Sequence, residues 1–187
     1  MRTWLAMGLV AAMLLGASPR AVASPAFEAM LRQADAVRSS DPEQFNALLG
    51  ELNASLGSAS ERQRDELAYL KAYQLSFGGR FDLGIEAARN IFETSKDPSV
   101  RFRAAALMVN SLAVTRDFGE GVRYMNQMLA LSDQIRDPEV RHHGWAAAGT
   151  LSNLVGQYDQ GKHFAEMMLA DNPSPRTACF GGVMLIE

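Results

Sequence analysis

Hydrophobic positions along most of the chain recur with the period of an α-helix. The first clear stripe runs through Phe27, Met30, Leu31, Ala34 and Val37, at offsets of 0, 3, 4, 7 and 10 residues. A second stripe of the same kind occupies residues 45–56. Side chains at such offsets share one face of a helix, and the alternation typical of strands is almost absent. The pattern predicts an all-α fold.

Four short motifs predict where helices begin. In each, a side chain that accepts backbone N–H hydrogen bonds is followed by proline, which tolerates the first helical turn because its missing N–H is not needed there. The motifs are Asp41-Pro42, Asp97-Pro98, Asp137-Pro138 and Ser174-Pro175. We therefore expect a helix after each of them.

A longer repeat emerges when the sequence is aligned on Phe81, Phe118 and Tyr158, which are 37 and 40 residues apart. A glycine follows each aromatic residue by three positions, and an apolar residue precedes it by four, at residues 77, 114 and 154. The spacing is typical of repeated helical hairpins. In such a hairpin we expect the aromatic ring to pack back on the preceding helix, while the glycine lets two helix backbones approach closely.

The two helices of a predicted hairpin differ in polarity. Residues 100–114 are apolar on more than one side, which fits an inner layer, whereas residues 122–131 have one polar face. We therefore predict that residues 24–187 form an all-α helical-hairpin solenoid that ends within a fourth repeat. The alternative is an irregular helical bundle in which the repeat register arises by chance.

The segments GRFDLGIEAA (79–88) and GQYDQG (156–161) resemble tetratricopeptide repeats. In that family a Gly-x-Tyr/Phe turn opens the second helix, and small residues pack between helices. The resemblance covers residues 61–187 and implies a tetratricopeptide-like α-solenoid. The period of 37–40 residues is longer than the usual ~34, and Trp145 is only a loose counterpart of the family's tryptophan.

The first 23 residues have the pattern of a secretory signal peptide. Arg2 gives a positive start, residues 4–15 are an apolar run, and Ala21-Val22-Ala23 is a small-x-small cleavage motif. We predict cleavage after Ala23 and a periplasmic or secreted mature protein, residues 24–187. A buried first helix and an uncleaved anchor are the alternatives.

The segments RDPEVR (136–141), VGQY (155–158) and NPSPRT (172–177), together with the predicted signal, resemble the periplasmic sensor region of bacterial membrane-bound diguanylate cyclases. Neither the GGDEF motif of those enzymes nor a second apolar span occurs in the sequence. The resemblance implies an exported, non-enzymatic sensor module at the N-terminus of a larger signalling protein, reaching the membrane only through downstream sequence. The alternative is a complete periplasmic scaffold or assembly factor.

Composition and candidate chemistry narrow the function further. The net charge of −3 argues against nucleic-acid binding, which relies on clustered Lys and Arg. We predict no catalytic residues and no cofactor. We also predict no metal site, because Glu139 and His143 share a helix face but supply only two of the ligands that a metal ion needs. Adjacent His142 and His143 are expected on a solvated helix face, and Cys179 is expected to be a buried or packing residue, with a reactive thiol as the alternative.

Polar residues on the predicted first helices are candidates for a ligand or peptide groove. They are Lys71, Tyr73, Gln74, Arg103, Asn110, Ser111, Ser152 and Asn153. The stacked Asn110 and Asn153 amides would bind the backbone of an extended peptide or protein partner, and the alternative is that they bridge neighbouring helices. Because the chain stops in an apolar stretch, we also expect self-association, such as a homodimer, through an open C-terminal end.

Overall fold

The computed structural model describes residues 24–185, and these residues form nine α-helices with no strand. The predicted signal peptide, residues 1–23, lies outside them. The helices are α1 Pro25–Val37, α2 Pro42–Ala54, α3 Glu61–Phe77, α4 Phe81–Thr94, α5 Pro98–Thr115, α6 Phe118–Leu129, α7 Pro138–Leu154, α8 Tyr158–Ala170 and α9 Pro175–Met184. Short 3-10 turns lie at Leu56–Ser58 and Ser132–Gln134. The all-α prediction is confirmed.

The predicted helix starts are confirmed by their capping hydrogen bonds. Asp97 caps α5, where its Oδ1 accepts the backbone N–H groups of Ser99 at 2.8 Å and of Val100 at 3.1 Å. Asp41, Asp137 and Ser174 cap α2, α7 and α9 in the same way, each followed by proline. Each cap satisfies N–H groups that have no partner within the helix.

Helices next to each other in sequence pack as pairs, α1 with α2, α3 with α4, α5 with α6 and α7 with α8. The odd-numbered helices also contact one another in order, from α1 to α3, α5, α7 and α9. Helix α5 lies at the middle of this series, and 11 of its 18 residues are buried. Its burial explains why residues 100–114 have so little polar face.

Close approach within the hairpins depends on the glycines that follow the aromatic positions. A Cβ at Gly84 would overlap Ser76 Oγ and lie 2.9 Å from the Ser76 backbone nitrogen. A Cβ at Gly161 would overlap the Asn153 side chain, whereas the tightest contact of one at Gly121 would be the end of a leucine side chain at 3.3 Å. Helices α3 and α4 therefore approach at a distance that only glycine permits, whereas at Gly161 the Asn153 side chain would have to move to admit a Cβ.

The other repeated positions are less uniform than the alignment predicts. Phe81 and Phe118 are half-buried and pack against the core, but Tyr158 is 63% exposed, so its expected packing on the preceding helix is wrong. The apolar residues four positions earlier, at 77, 114 and 154, are more than half exposed. They occupy or adjoin the last residue of α3, α5 and α7, where the chain turns away from the core.

The final helix packs on the preceding hairpin while leaving apolar side chains outside. Helix α9 contacts α7 and α8, and Met184 is buried against them. Phe180, Val183 and Leu185 remain between 42% and 47% exposed. Self-association through this end stays a prediction.

Candidate functional site

The odd-numbered helices surround a cavity of about 380 Å³, which we call the central cavity. All five of them contribute side chains to its wall. The lining residues are Asp35, Ala36, Arg38, Ser39, Tyr69, Tyr73, Phe77, Ala106, Leu107, Asn110, His143 and Arg176. Arg176 Nη2 lies 3.3 Å from Ser39 Oγ, so the two ends of the helix series meet across the cavity.

A charged cluster beside the central cavity ties α1, α3 and α5 together. Arg103 on α5 donates to Glu66 at 3.2 Å and also to Asp35, while its Cζ lies 4.1 Å from the centre of the Tyr69 ring. Burial opposes ionisation of Asp35, but the charges of Arg103 and Arg38 outweigh it and lower the pKa of this carboxyl. Burial raises the pKa of Glu66 despite its arginine neighbours. The carboxylates of Asp35 and Glu66 therefore both have Arg103 as an ion-pair partner.

Arg38 and two aromatic rings form the adjoining part of the wall. The Arg38 Cζ lies 4.9 Å from the centre of the Tyr73 ring, and Phe77 stacks on Tyr73 at 4.1 Å. Phe77 is 67% exposed. Arg38 Nη2 also lies 3.5 Å from His143 Nε2. Desolvation by surrounding side chains, together with the positive charges of Arg38 and Arg103, lowers the pKa of His143.

A second cavity of about 630 Å³ opens between α7 and α9, and we call it the α7–α9 cleft. It shares Asn110, His143 and Arg176 with the central cavity. Its other lining residues are Glu139, His142, Ala146, Ala147, Thr150, Met168, Thr177, Cys179, Phe180 and Val183. The two cavities therefore meet at one polar junction.

His142 lies in the wall of the cleft with no hydrogen-bond partner. It is 1% exposed, and neither ring nitrogen makes a hydrogen bond, although Nε2 lies 3.2 Å from Asp171 Oδ2. Arg141 donates to that same oxygen at 2.6 Å. The expectation that both adjacent histidines are solvated is wrong for His142, because it is on the side of α7 that meets α9. Cys179, expected to be a buried or packing residue, is exposed in the cleft.

The structure brings only part of the predicted groove together. Tyr73 and Asn110 line the central cavity, and Arg103 belongs to the charged cluster beside it. Lys71 and Gln74 instead donate to asparagines of α2, at 2.8 and 2.6 Å. These two side chains therefore contact the neighbouring helix and not the cavity.

The remaining predicted groove residues lie within helix packing. Ser111 is buried and donates to Ser76 Oγ at 3.1 Å, between α5 and α3. Ser152 is buried with its Oγ 3.4 Å from a side-chain oxygen of α8, and Asn153 is half-buried beside Gly161. Both serines therefore contact a neighbouring helix. Their role in ligand binding stays a prediction.

Sequence reasoning missed Arg38, His143 and Arg176 as cavity residues. Arg176 and Ser39 are 137 positions apart, so no local pattern signals their contact.

Within residues 24–185, no three His, Cys, Asp or Glu side chains group in a way that would hold a metal ion, and no helix is long and apolar enough to cross a membrane. No protein-family model matches the chain, and comparisons with curated proteins and with solved structures find no match.

Proposed function

We propose that the chain is a tetratricopeptide-like helical solenoid whose inner layer consists of the odd-numbered helices. The ordered contacts from α1 through α9 support this arrangement. So does the recurrence of close-packed glycines after the first turn of α4 and α8. In a solenoid each repeat buries its apolar faces mainly against its neighbours, and the inner surface forms a continuous groove.

The function that this geometry supports best is ligand binding in the inner groove, without catalysis by this chain. The observation that carries the proposal is the central cavity, which receives side chains from all five odd-numbered helices. Small-molecule and peptide sites combine apolar walls with a few convergent polar groups. Phe77, Leu107 and Ala106 supply such walls here, and Arg38 and Asn110 supply polar groups.

The setting that we propose is an exported sensor module of a larger signalling protein. The predicted signal peptide and the resemblance to periplasmic sensor regions of diguanylate cyclases support it. Expression of the whole chain in a Gram-negative host, followed by cell fractionation and mass spectrometry, tests the export step. We expect a periplasmic species lacking residues 1–23, and an uncleaved protein in the cytosol would contradict the proposal.

Binding in the groove is tested by screening the whole chain against a library of short peptides and small organic acids. Hits are then measured on Phe77→Ala and Asn110→Ala, two exposed positions of the central cavity, and on Gln127→Ala, an exposed position of α6 outside it. We expect the two cavity variants to weaken binding and the α6 variant to leave it unchanged. Hits that respond equally to all three variants, or a screen without hits, would contradict groove binding.

A further inference from the structure

The α7–α9 cleft has walls of two different kinds. Apolar side chains from three helices cover most of it, and they are Ala146, Ala147, Met168, Phe180 and Val183. Polar side chains collect where the cleft joins the central cavity, around Asn110, His143 and Arg176. Its volume of about 630 Å³ falls within the range of small-molecule sites. Such a division suits a ligand with an apolar body and one polar head.

The charge at the junction favours an anionic head. Arg176 is exposed and, among residues 24–185, forms no salt bridge with an acidic side chain. Of the two carboxylates that line the cavities, Asp35 pairs with Arg38 and Arg103. Glu139 lines the cleft, where it accepts a hydrogen bond from Thr177 Oγ1 at 3.3 Å and lies 3.8 Å from His142 Nδ1. The Arg176 guanidinium therefore has no acidic side-chain partner among the described residues that an anionic ligand would have to displace.

A second, independent feature also indicates that the cleft receives a ligand. His142 is 1% exposed in the cleft wall, and neither ring nitrogen makes a hydrogen bond, although Nε2 lies 3.2 Å from Asp171 Oδ2 and Nδ1 lies 3.8 Å from Glu139 Oε1. Buried polar groups are almost always hydrogen-bonded, because an unsatisfied one has lost its water without replacement. A ligand head group in the cleft would offer such a partner.

We propose that the α7–α9 cleft binds a small organic carboxylate with an unbranched apolar chain, its carboxylate at Arg176 and its chain along the wall formed by α7 and α9. This inference rests on the proposed function, because it names the ligand class of the same inner groove. The chain would displace water from Ala146, Phe180 and Val183. The carboxylate would form a charge-assisted hydrogen bond with the guanidinium.

Titration of the full chain with a series of simple probes tests the proposal. The probes are octanoate, hexanoate, acetate and neutral octan-1-ol, with affinities measured by calorimetry and the site located by amide chemical shifts in NMR spectra. Each buried methylene strengthens binding about fourfold, so octanoate, with two more methylenes, should bind about sixteenfold tighter than hexanoate, and acetate should not bind measurably. Octanol should bind about tenfold more weakly than octanoate, because it lacks the charge.

Two measurements on the protein locate the head group and the chain. Arg176→Gln should weaken octanoate binding about tenfold without changing octanol binding. The matched control is Arg64→Gln, since Arg64 is an exposed arginine of α3 without a salt bridge among the described residues. Octanoate, but not acetate, should also slow alkylation of the exposed Cys179 in the unmodified protein, which requires no variant.

Equal binding of octanoate and octanol, equal effects of the two arginine variants, or chemical-shift changes confined to other helices would overturn the proposal. If octanoate fails to bind while a peptide from the library binds in the central cavity, this inference is wrong and the proposed function stands. If no library compound and no fatty acid binds on the inner face, both are wrong.

Discussion

Alanine substitution at the hairpin glycines tests how closely the paired helices approach, and Gly84→Ala, between α3 and α4, is the most informative of these changes. Alanine gains about 1 kcal/mol over glycine in a helix interior. Against this, the new Cβ would lie 2.9 Å from the backbone nitrogen of Ser76, so α3 and α4 must separate. Overpacking of this kind costs about 1–3 kcal/mol, and loss of the buried Ser111–Ser76 hydrogen bond adds about 1 kcal/mol. We therefore expect Gly84→Ala to lower the free energy of unfolding by about 1–3 kcal/mol.

Alanine substitutions at two other helical glycines serve as controls for Gly84→Ala. The tightest contact of a Cβ at Gly121 would be with Leu151 Cδ2, at 3.3 Å, and the end of a leucine can shift, so Gly121→Ala should be close to neutral. A Cβ at Gly50, which is exposed in α2, would meet nothing within 4 Å. Gly50→Ala should therefore stabilise the protein by about 0.5–1 kcal/mol. The three variants have the same chemistry and differ only in what the methyl group meets.

Urea unfolding of the full chain, followed by far-ultraviolet circular dichroism, measures the free energy of unfolding of each variant. For a chain of this size, 1 kcal/mol corresponds to about 2–4 °C in Tm, so thermal unfolding gives an independent check. The expected order of stability is Gly50→Ala, then wild type and Gly121→Ala together, then Gly84→Ala. If Gly84→Ala stabilises the protein as much as Gly50→Ala does, the helices are not in close contact there and the reasoning is refuted.

Three further predictions follow from individual contacts. Asp97→Ala should lower the free energy of unfolding by about 0.5–2 kcal/mol, because Asp97 Oδ1 accepts two N–H groups of α5; equal urea midpoints would contradict this. The lowered pKa of Asp35 means that its ionised form is stabilised on folding, so this contribution is present above the ordinary pKa of 3.8 and is lost as the pH falls below it. The stability difference between wild type and Asp35→Asn should therefore shrink from pH 6 towards acid, and a pH-independent difference would contradict it. Cys179 should react with Ellman's reagent in the native protein, whereas reaction only after addition of urea would show that it is buried.

Features fixed by local chemistry were predictable from the sequence. The helix starts followed from side chains that cap the N–H groups of the next turn, and the close approach at Gly84 followed from its place in the hairpin. Burial of individual side chains was less predictable, because it depends on which helices lie opposite. His142 and His143 show this directly, since adjacent positions on one helix have opposite environments, one 1% exposed and one exposed.

The candidate site was predictable only where it depends on a helix face. Asn110 and Tyr73 were found because the first helix of each hairpin was expected to line a groove. Arg38 and Arg176 reach the same cavity from opposite ends of the chain. Their meeting depends on how each helix pair is rotated relative to the next, and a sequence with a period of 37–40 residues does not define that rotation.

The charged cluster beside the central cavity bears on which ligands the groove admits. Replacing a buried ion pair by apolar side chains is often neutral or stabilising, so burial of Arg103 is weak evidence for stability alone. In the cluster, Asp35 and Glu66 both form ion pairs with Arg103. Arg176 forms no salt bridge among the described residues. An anionic ligand at the junction would meet the Arg176 guanidinium, whereas a cationic ligand would be repelled by it and would find Asp35 and Glu66 already paired, with Glu139 in the cleft wall as the remaining carboxylate. Pairing of Asp35 and Glu66 with Arg103 therefore favours anions over cations on the Arg176 side of the junction.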